Sequence, residues 1–583
     1  MPKRGGAVHV TTHRRHYTGK DGQEKVYETH LLRRSWREDG KVRNETVANL
    51  SHLPPAAVDA VRAVLDGKAL VEAGGHVTVT RSLPHGHVAA AHAMARRLGL
   101  PGLLGPAGRD RDLAVALVIS RVVRPKPKLS TALWWDDVTL GHDLGVAGAS
   151  TDEVYAAMDW LVGRQDEIEA ALAARHLPEG GIAMFDLSSS WVEGRHCELA
   201  ARGYSRDGRK GKEQIEYGLL TDADGRPVAV RVFAGNTADP TAFTEAVEAV
   251  RGKFGIRDVV LAGDRGMITS ARIEAVRELG GIGWITCLRA PAIRKLADGD
   301  GPLQMSLFDQ QDLAEISHPD YPGERLIACR NPFLAAERAR KREDLLQATE
   351  KLLGAIAGQA AAGRITGADK IGVRAGKVIN RYKVAKHFIL DIGDRQLTWR
   401  RGQAAIDAEA ALDGIYVIRT SVPAAQLDTP AAVSAYKNLA QVERDFRSLK
   451  ADDLDLRPIH HRLEDRVRSH VLICMLAAYL TWHLRRTWAP LTFTDEHPPQ
   501  RDNPVAPARR SASADAKAAR KTSSDGTGQP VRSYQDLLTH LATLTRNTIR
   551  IGDSAAFDQI SEPTPAQRRA FELLAVPIPL TLT

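Results

Sequence analysis

Residues 181–190 read GIAMFDLSSS, and the order of the segments that follow decides the fold. This apolar run is succeeded by QIEYGLLTD (214–222) and PVAVRVFAGN (227–236), then by PTAFTEAVEAVRGKF (240–254), whose apolar residues recur at helical spacing. DVVLAGDRGM (258–267), SARIEAVRELG (270–280) and GWITCLR (283–289) complete a series of three strands, a helix, a strand, a helix and a strand. That series predicts an α/β unit. Asp186 stands in the first strand and Asp264 at the end of the fourth. If the two strands are neighbours, both carboxylates emerge at one sheet edge, where ligands of α/β sheets bind. Taken singly, each has a plainer reading, because an Asp at a strand end commonly caps a turn.

A third acidic residue lies far downstream, in YKNLAQVERDFRSLK (436–450). On one continuous helix, at about 100° per residue, Tyr436, Glu443, Arg447 and Lys450 fall within roughly 60° of one another. A phenol, a carboxylate and two cations then share a face that is either solvated surface or an active site. Carboxylates drawn together repel unless protonated or bridged by a cation. Two divalent ions resolve the conflict and suit phosphoryl transfer. All-oxygen ligands favour Mg²⁺ or Mn²⁺, and no His/Cys cluster near these residues argues for zinc.

Composition sets the wider bounds. The chain has 583 residues, 43% hydrophobic and 26% charged, and a net charge of +9, which is ordinary for a core-forming protein and favours polyanionic partners. Cys197, Cys287, Cys329 and Cys474 are too dispersed for a disulfide framework or a Cys-based zinc site, as expected of a cytoplasmic protein. The apolar run VLICMLAAYL (471–480) is about half the ~20 residues of a membrane span, so it predicts a buried helix and no membrane partner.

Several blocks, MFDLSSSWVEG, GYSRDGRKGKEQIEYGLL, VFAGNTADP, LAGDRGM, DGIYVIRTS and YKNLAQVERDFRSLK, together resemble bacterial insertion-sequence DDE transposases, most nearly the IS-four-like group with its Tyr-x2-Arg-x3-Glu-x6-Lys helix. The resemblance implies a ribonuclease-H-like catalytic core interrupted by a strand-containing insertion, with Asp186, Asp264 and Glu443 as catalytic carboxylates holding two Mg²⁺ or Mn²⁺ ions. It also implies double-stranded DNA as partner (transposon ends and target), a homodimer in the synaptic complex, and nucleoid association when bound to DNA. Tyr436 and Lys450 match signature residues that contact phosphates. Leu439 stands where the signature has arginine, and Arg447 is the expected substitute, with an ordinary surface arginine as the alternative.

Further DNA contacts are expected from Arg265, Arg457 and Trp399, with Trp191 a second aromatic able to stack on an extruded base; ordinary packing is the alternative for both tryptophans. His470 reads as a satisfied core histidine.

The expected organisation is an N-terminal β-hairpin and helix (1–80), a helical region (81–178), the first part of the core (179–290), an insertion (291–430), the second part with the catalytic helix (431–490), a flexible linker (491–533) and a small helical C-terminal piece (534–583). The hairpin carries Arg33, Arg34, Arg37, Lys41 and Arg43 around Trp36, which suits either a nucleic-acid backbone or a solvated edge. Two rivals share these features: a ribonuclease-H-like nuclease or resolvase that cuts without joining, and a non-catalytic DNA-binding protein derived from a transposase.

Overall fold

The computed structural model describes residues 6–18, 24–38, 40–68, 77–209, 211–237, 239–256, 258–266, 268–298, 301–308, 312–492, 528, 530–552 and 555–582. Asp39 of the expected turn and nearly all of the expected linker lie outside them. The chain divides into two units, Met1–Ser82 with Asn547–Gln559, and Leu83–Arg546 with Ile560–Thr583.

In the first unit, strands β1 (Ala7–Thr18), β2 (Glu24–Glu38) and β3 (Lys41–Asn49) form an antiparallel sheet in that order, followed by the helix Pro55–Leu65. Glu38 pairs with Lys41 across the β2–β3 turn. β1 is an addition to the two strands read from sequence; its run HRRHYT is exposed and lacks the apolar alternation that marks a half-buried strand. A second small sheet has the order β16-β15-β4, from β4 (Val77–Pro84), β15 (Thr545–Ile551) and β16 (Phe557–Ile560). The segment TRNTIRI, expected to continue a helix, is thus a strand. Its β-branched Thr545, Thr548, Ile549 and Ile551 favour extended backbone, whereas the helix Tyr534–Ala542 before it is rich in leucine and alanine.

The second unit is built on an eight-stranded mixed sheet. Its strands are β5 (Ile182–Trp191), β6 (Gln214–Asp222), β7 (Pro227–Ala234), β8 (Val259–Ala262), β9 (Ile282–Cys287), β10 (Leu313–Ile316), β11 (Arg325–Arg330) and β14 (Ile415–Thr420). They lie in the order β10-β11-β14-β9-β8-β5-β6-β7. β5–β8 and β8–β9 are parallel, and the other pairs are antiparallel. β6 is buried along its whole length, as a strand covered on both faces must be.

The expected insertion is therefore narrower than 291–430. DLAEISH, RLIACRN and GIYVIRTS, read as part of it, contribute β10, β11 and β14 to the main sheet. What leaves the sheet between β11 and β14 is the long helix Pro332–Ala361, the helix Ala368–Arg381, the two-stranded β12 (Phe388–Ile392) and β13 (Leu397–Arg401), and the helix Gln403–Ala410. This excursion has its own apolar core, around Leu346, Leu353, Ile371 and Phe388.

The main core joins the sheet to the helices of 86–176 and to the helix Glu464–Thr487, which buries Val471 through Leu480. That is the buried helix expected of VLICMLAAYL; among the described residues no helix is long and apolar enough to cross a membrane.

Candidate active site

β5 and β8 run parallel with Met184 opposite Ala262. Asp186 and Asp264 each lie two residues farther along, Asp186 still within β5 and Asp264 in the turn just past the carboxyl end of β8. Leu187 N–H donates to Asp186 Oδ1 at 2.8 Å. Past the strand, Gly266 N–H donates to Asp264 Oδ1 at 2.8 Å and Ile268 N–H to its carbonyl at 3.1 Å, so the Asp also shapes the turn it stands in.

The helix Leu439–Arg447 packs on β5 and delivers Glu443. Burial, together with the charges of Asp264 and Glu443, pushes the Asp186 carboxyl up to about 7, against the pull of the Leu187 N–H and of Arg206. Asp264 and Glu443 themselves are exposed. Among the described residues no three His, Cys, Asp or Glu side chains stand close enough to hold a metal ion. Asp186 thus feels the charges of Asp264 and Glu443 without the three closing into a cage. The donor set, oxygen only and mutually repulsive, fits a hard divalent cation.

The stripe read across 436–450 is not one continuous helix. A helix Thr429–Lys437 ends at Asn438, whose Nδ2 donates to Ala223 O at 3.1 Å; the next runs from Leu439 to Arg447, and Ser448–Asp452 form a π turn. A π turn inserts an extra residue per turn, so positions beyond it rotate away from a 3.6-residue stripe.

Tyr436 is half-buried on the upstream piece, and its phenol meets the Cys287 thiol; burial and the neighbouring Cys287 and Asp264 push its pKa upward. Leu439 packs against the main core, an apolar role that an arginine could not fill. Arg447 is exposed and has no partner among the described residues.

Lys450 instead turns inward: its Nζ donates to Asp207 Oδ1 at 3.0 Å, and Arg457 Nη1 donates to the same oxygen at 2.5 Å. The Asp207 side chain is 2% exposed. Burial lowers the Lys450 pKa, and Asp207 opposes that shift. The Arg457 and Arg209 guanidiniums lie over the Trp191 ring at 5.1 and 4.6 Å.

Arg265 is exposed beside Asp264. Trp399 pairs with Leu390 across β12–β13 and packs on the excursion's own core near Gly354. His470 is buried and satisfied, with Lys128 Nζ at 3.1 Å and Leu456 O at 3.0 Å from its two ring nitrogens.

Residues 188–480, half of the chain, match the family model described as Transposase DDE domain, and residues 16–74 match IS1634 family transposase, N-terminal domain. The chain belongs to the DDE-domain transposases.

No curated protein matches this transposase. Among solved structures it is similar to a piggyBac transposase synaptic complex with hairpin DNA, at 7% identity and a TM-score of 0.31, covering 68% of this chain and 71% of that one. The transposase domain match encloses Asp264, Tyr436, Glu443 and the basic residues, and it opens two residues after Asp186.

Two residues beside the transposase's carboxylates had no role assigned from sequence. Arg206 offsets the Asp186 charge and pairs with the buried Glu216 at 3.2 Å, and Asp207 gathers Lys450 and Arg457. Both sit in the block GYSRDGRKGKEQIEYGLL, so the signal was present as a motif without a partner to interpret it.

Proposed function

We propose that Asp186, Asp264 and Glu443 are the catalytic carboxylates with which this transposase cuts the strand at each inverted terminal repeat of its element and joins the freed 3′-OH to target DNA, on a ribonuclease-H-like core. The observation that carries the reading is that Asp186 on β5 and Asp264 each lie two residues beyond the paired residues Met184 and Ala262, where parallel β5 and β8 part, with the charges of Asp264 and Glu443 felt at Asp186.

Transposases of this kind use divalent metal ions. Two Mg²⁺ or Mn²⁺ ions held by these three side chains would activate the attacking oxygen and stabilise the leaving one. The chain's own groups do the rest. Arg206 opposes protonation of Asp186 and keeps it available as a ligand. The Tyr436 phenol, kept protonated by its surroundings, serves as a neutral donor to a phosphate oxygen beside Asp264. Arg265 and Arg447 are exposed guanidiniums free for bidentate phosphate pairing. Arg457 has N–H donors to spare beyond those given to Asp207 and can take a phosphate while holding it, whereas the buried Lys450 chiefly fixes the loop that carries Arg206.

Trp399 would stack on an extruded base only by leaving its packed position, so it is the weakest of the assigned DNA contacts. Holding two transposon ends at once calls for two copies of the chain, hence a homodimer on DNA.

The test is strand joining. Wild type supplied with a pre-cut end bearing a 3′-OH, a supercoiled plasmid and Mn²⁺ is expected to give joined products, and Asp264→Asn to give neither cutting nor joining while still binding the end. A wild type that cuts but never joins would make the protein a nuclease; joining by Asp264→Asn at the wild-type rate would remove that carboxylate from the site.

A further inference from the structure

We propose that a basic cavity beginning at Arg265, one residue beyond Asp264, receives the 5′-phosphate end of the DNA strand released by cutting. The proposal rests on the assignment of Asp264 to the catalytic site and extends it to the product that site must let go.

The cavity holds about 480 Å³. Its walls come from the turn after Asp264, the helix Ala290–Ala297, the long helix Pro332–Ala361 and the segment that follows the helix Ala368–Arg381. Two acids reach it, and both are already engaged. Asp413 pairs with Arg342, at 2.5 and 3.1 Å, and Glu409 pairs with Lys386 and, at 3.1 Å, with the His387 ring. Five cations remain: Arg265, Arg294, Arg338, Lys341 and Lys383, all exposed and none with a partner among the described residues.

Like charges converging on one small space are unfavourable unless an anion completes the site. Lys383 adds a local signal. Its φ of +57° is a left-handed conformation that a non-glycine residue adopts at a cost, and such outliers persist where surrounding structure imposes them. Leu345 and Leu412 give the cavity an apolar wall, and Tyr382 gives it a ring, so it offers a base a surface as well as a phosphate its counter-charges.

The size and charge select the ligand. A volume of this order suits a small ligand, about 300–1,000 Å³, and so one terminal nucleotide rather than a duplex. Five free cations exceed what a singly charged internal phosphodiester needs and suit a dianionic terminal phosphate. Hydrolysis at the end produces that group: the water oxygen bonds to phosphorus, the P–O3′ bond breaks, a proton passes to the O3′, and the phosphate stays on the 5′ end of the departing strand. Capture next to Asp264 would keep that end from re-entering while the 3′-OH is joined elsewhere.

The experiment compares fluorescence anisotropy of two short single-stranded oligonucleotides, identical except for a 5′-phosphate or a 5′-hydroxyl, titrated with the full-length protein at fixed salt. Wild type is expected to bind the phosphorylated strand about tenfold more tightly, and the Lys341→Gln/Lys383→Gln double variant to reduce the preference to about twofold or less. Both positions are exposed, so the fold should persist, and an unchanged melting temperature checks it. Equal affinity of wild type for the two strands, including equal losses on both in the variant as an internal phosphodiester site would give, overturns the proposal, as does a preference that survives the substitutions. Metal-dependent cutting of a duplex end by the same preparations separates the two readings: cutting without the preference sinks the cavity alone, and the preference without cutting sinks the catalytic assignment.

Discussion

Lys450 and Arg457, and Arg265 and Arg447, are all cations that sequence alone assigns to DNA. The first pair is tied to a buried acid, Asp207, Lys450 wholly and Arg457 through one of its N–H donors. The second pair meets no acid among the described residues, and Arg265 faces the cavity while Arg447 is exposed. Basic residues near an active site thus divide into those that build it and those that wait for substrate, and what separates them is the presence of one carboxylate more than 200 residues away in the chain. The difference can be broken or sharpened by substitution.

The largest effect is expected at Asp207. Asp207→Ala leaves Lys450 and Arg457 crowded and unpaired, and removal of one partner from a buried pair costs about 3–5 kcal/mol. Thermal or urea unfolding should show a clear loss of stability; a variant as stable as wild type would mean that the two cations already find other partners, and that they belong with the open set.

Asp186→Asn should act in the opposite direction, by a few kcal/mol at most. The folded protein holds the Asp186 proton up to about 7, above the ordinary Asp value of 3.8. The stability this group contributes is therefore full below about pH 4 and lost as pH rises to about 7. The neutral variant escapes that loss, so without added metal its melting temperature should exceed that of wild type by a margin that grows from about pH 4 to pH 7 and then levels off. A constant margin at every pH would show that packing, rather than charge, sets the difference. The same variant should be unable to cut, since the group that strains the fold is the group proposed to hold metal.

Arg447→Ala should leave stability unchanged and weaken cutting of the transposon end by about tenfold, the loss of roughly one charge-assisted phosphate contact. Identical kinetics would return Arg447 to the ordinary surface. The smallest effect belongs to Arg401, whose guanidinium bridges Glu343 and Glu350 at 2.8–2.9 Å on a partly exposed face. Arg401→Ala should cost about 1 kcal/mol or less and leave DNA binding intact.

How much of this was legible in the sequence follows from the range over which each signal acts. The alternation in GIAMFDLSSS, DVVLAGDRGM and GWITCLR is local and strong, and it yields neighbouring strands, with Asp186 on β5 and Asp264 just past the end of β8. VLICMLAAYL likewise yields a buried helix. β10, β11 and β14 fall within the span expected as an insertion because DLAEISH and GIYVIRTS are more than ninety residues apart in the chain, and no local pattern says that a chain returns to the same sheet. The stripe on 436–450 assumed an unbroken 3.6-residue period, but the interruption at Asn438 and the π turn at Ser448–Asp452 leave no composition signal. Asp207 was invisible for a related reason: its partners are set by tertiary folding, and a lone Asp in RDGRKGK reads as a turn.

The most direct test of the account is strand cleavage of a labelled duplex carrying the element's own end, with Mg²⁺ or Mn²⁺, by wild type and Glu443→Gln. The account predicts cutting at the end by wild type and a loss of at least about 10³-fold in the variant with end binding retained. Cutting by Glu443→Gln at a rate near that of wild type would contradict it, and would take the helix Leu439–Arg447 out of the chemistry.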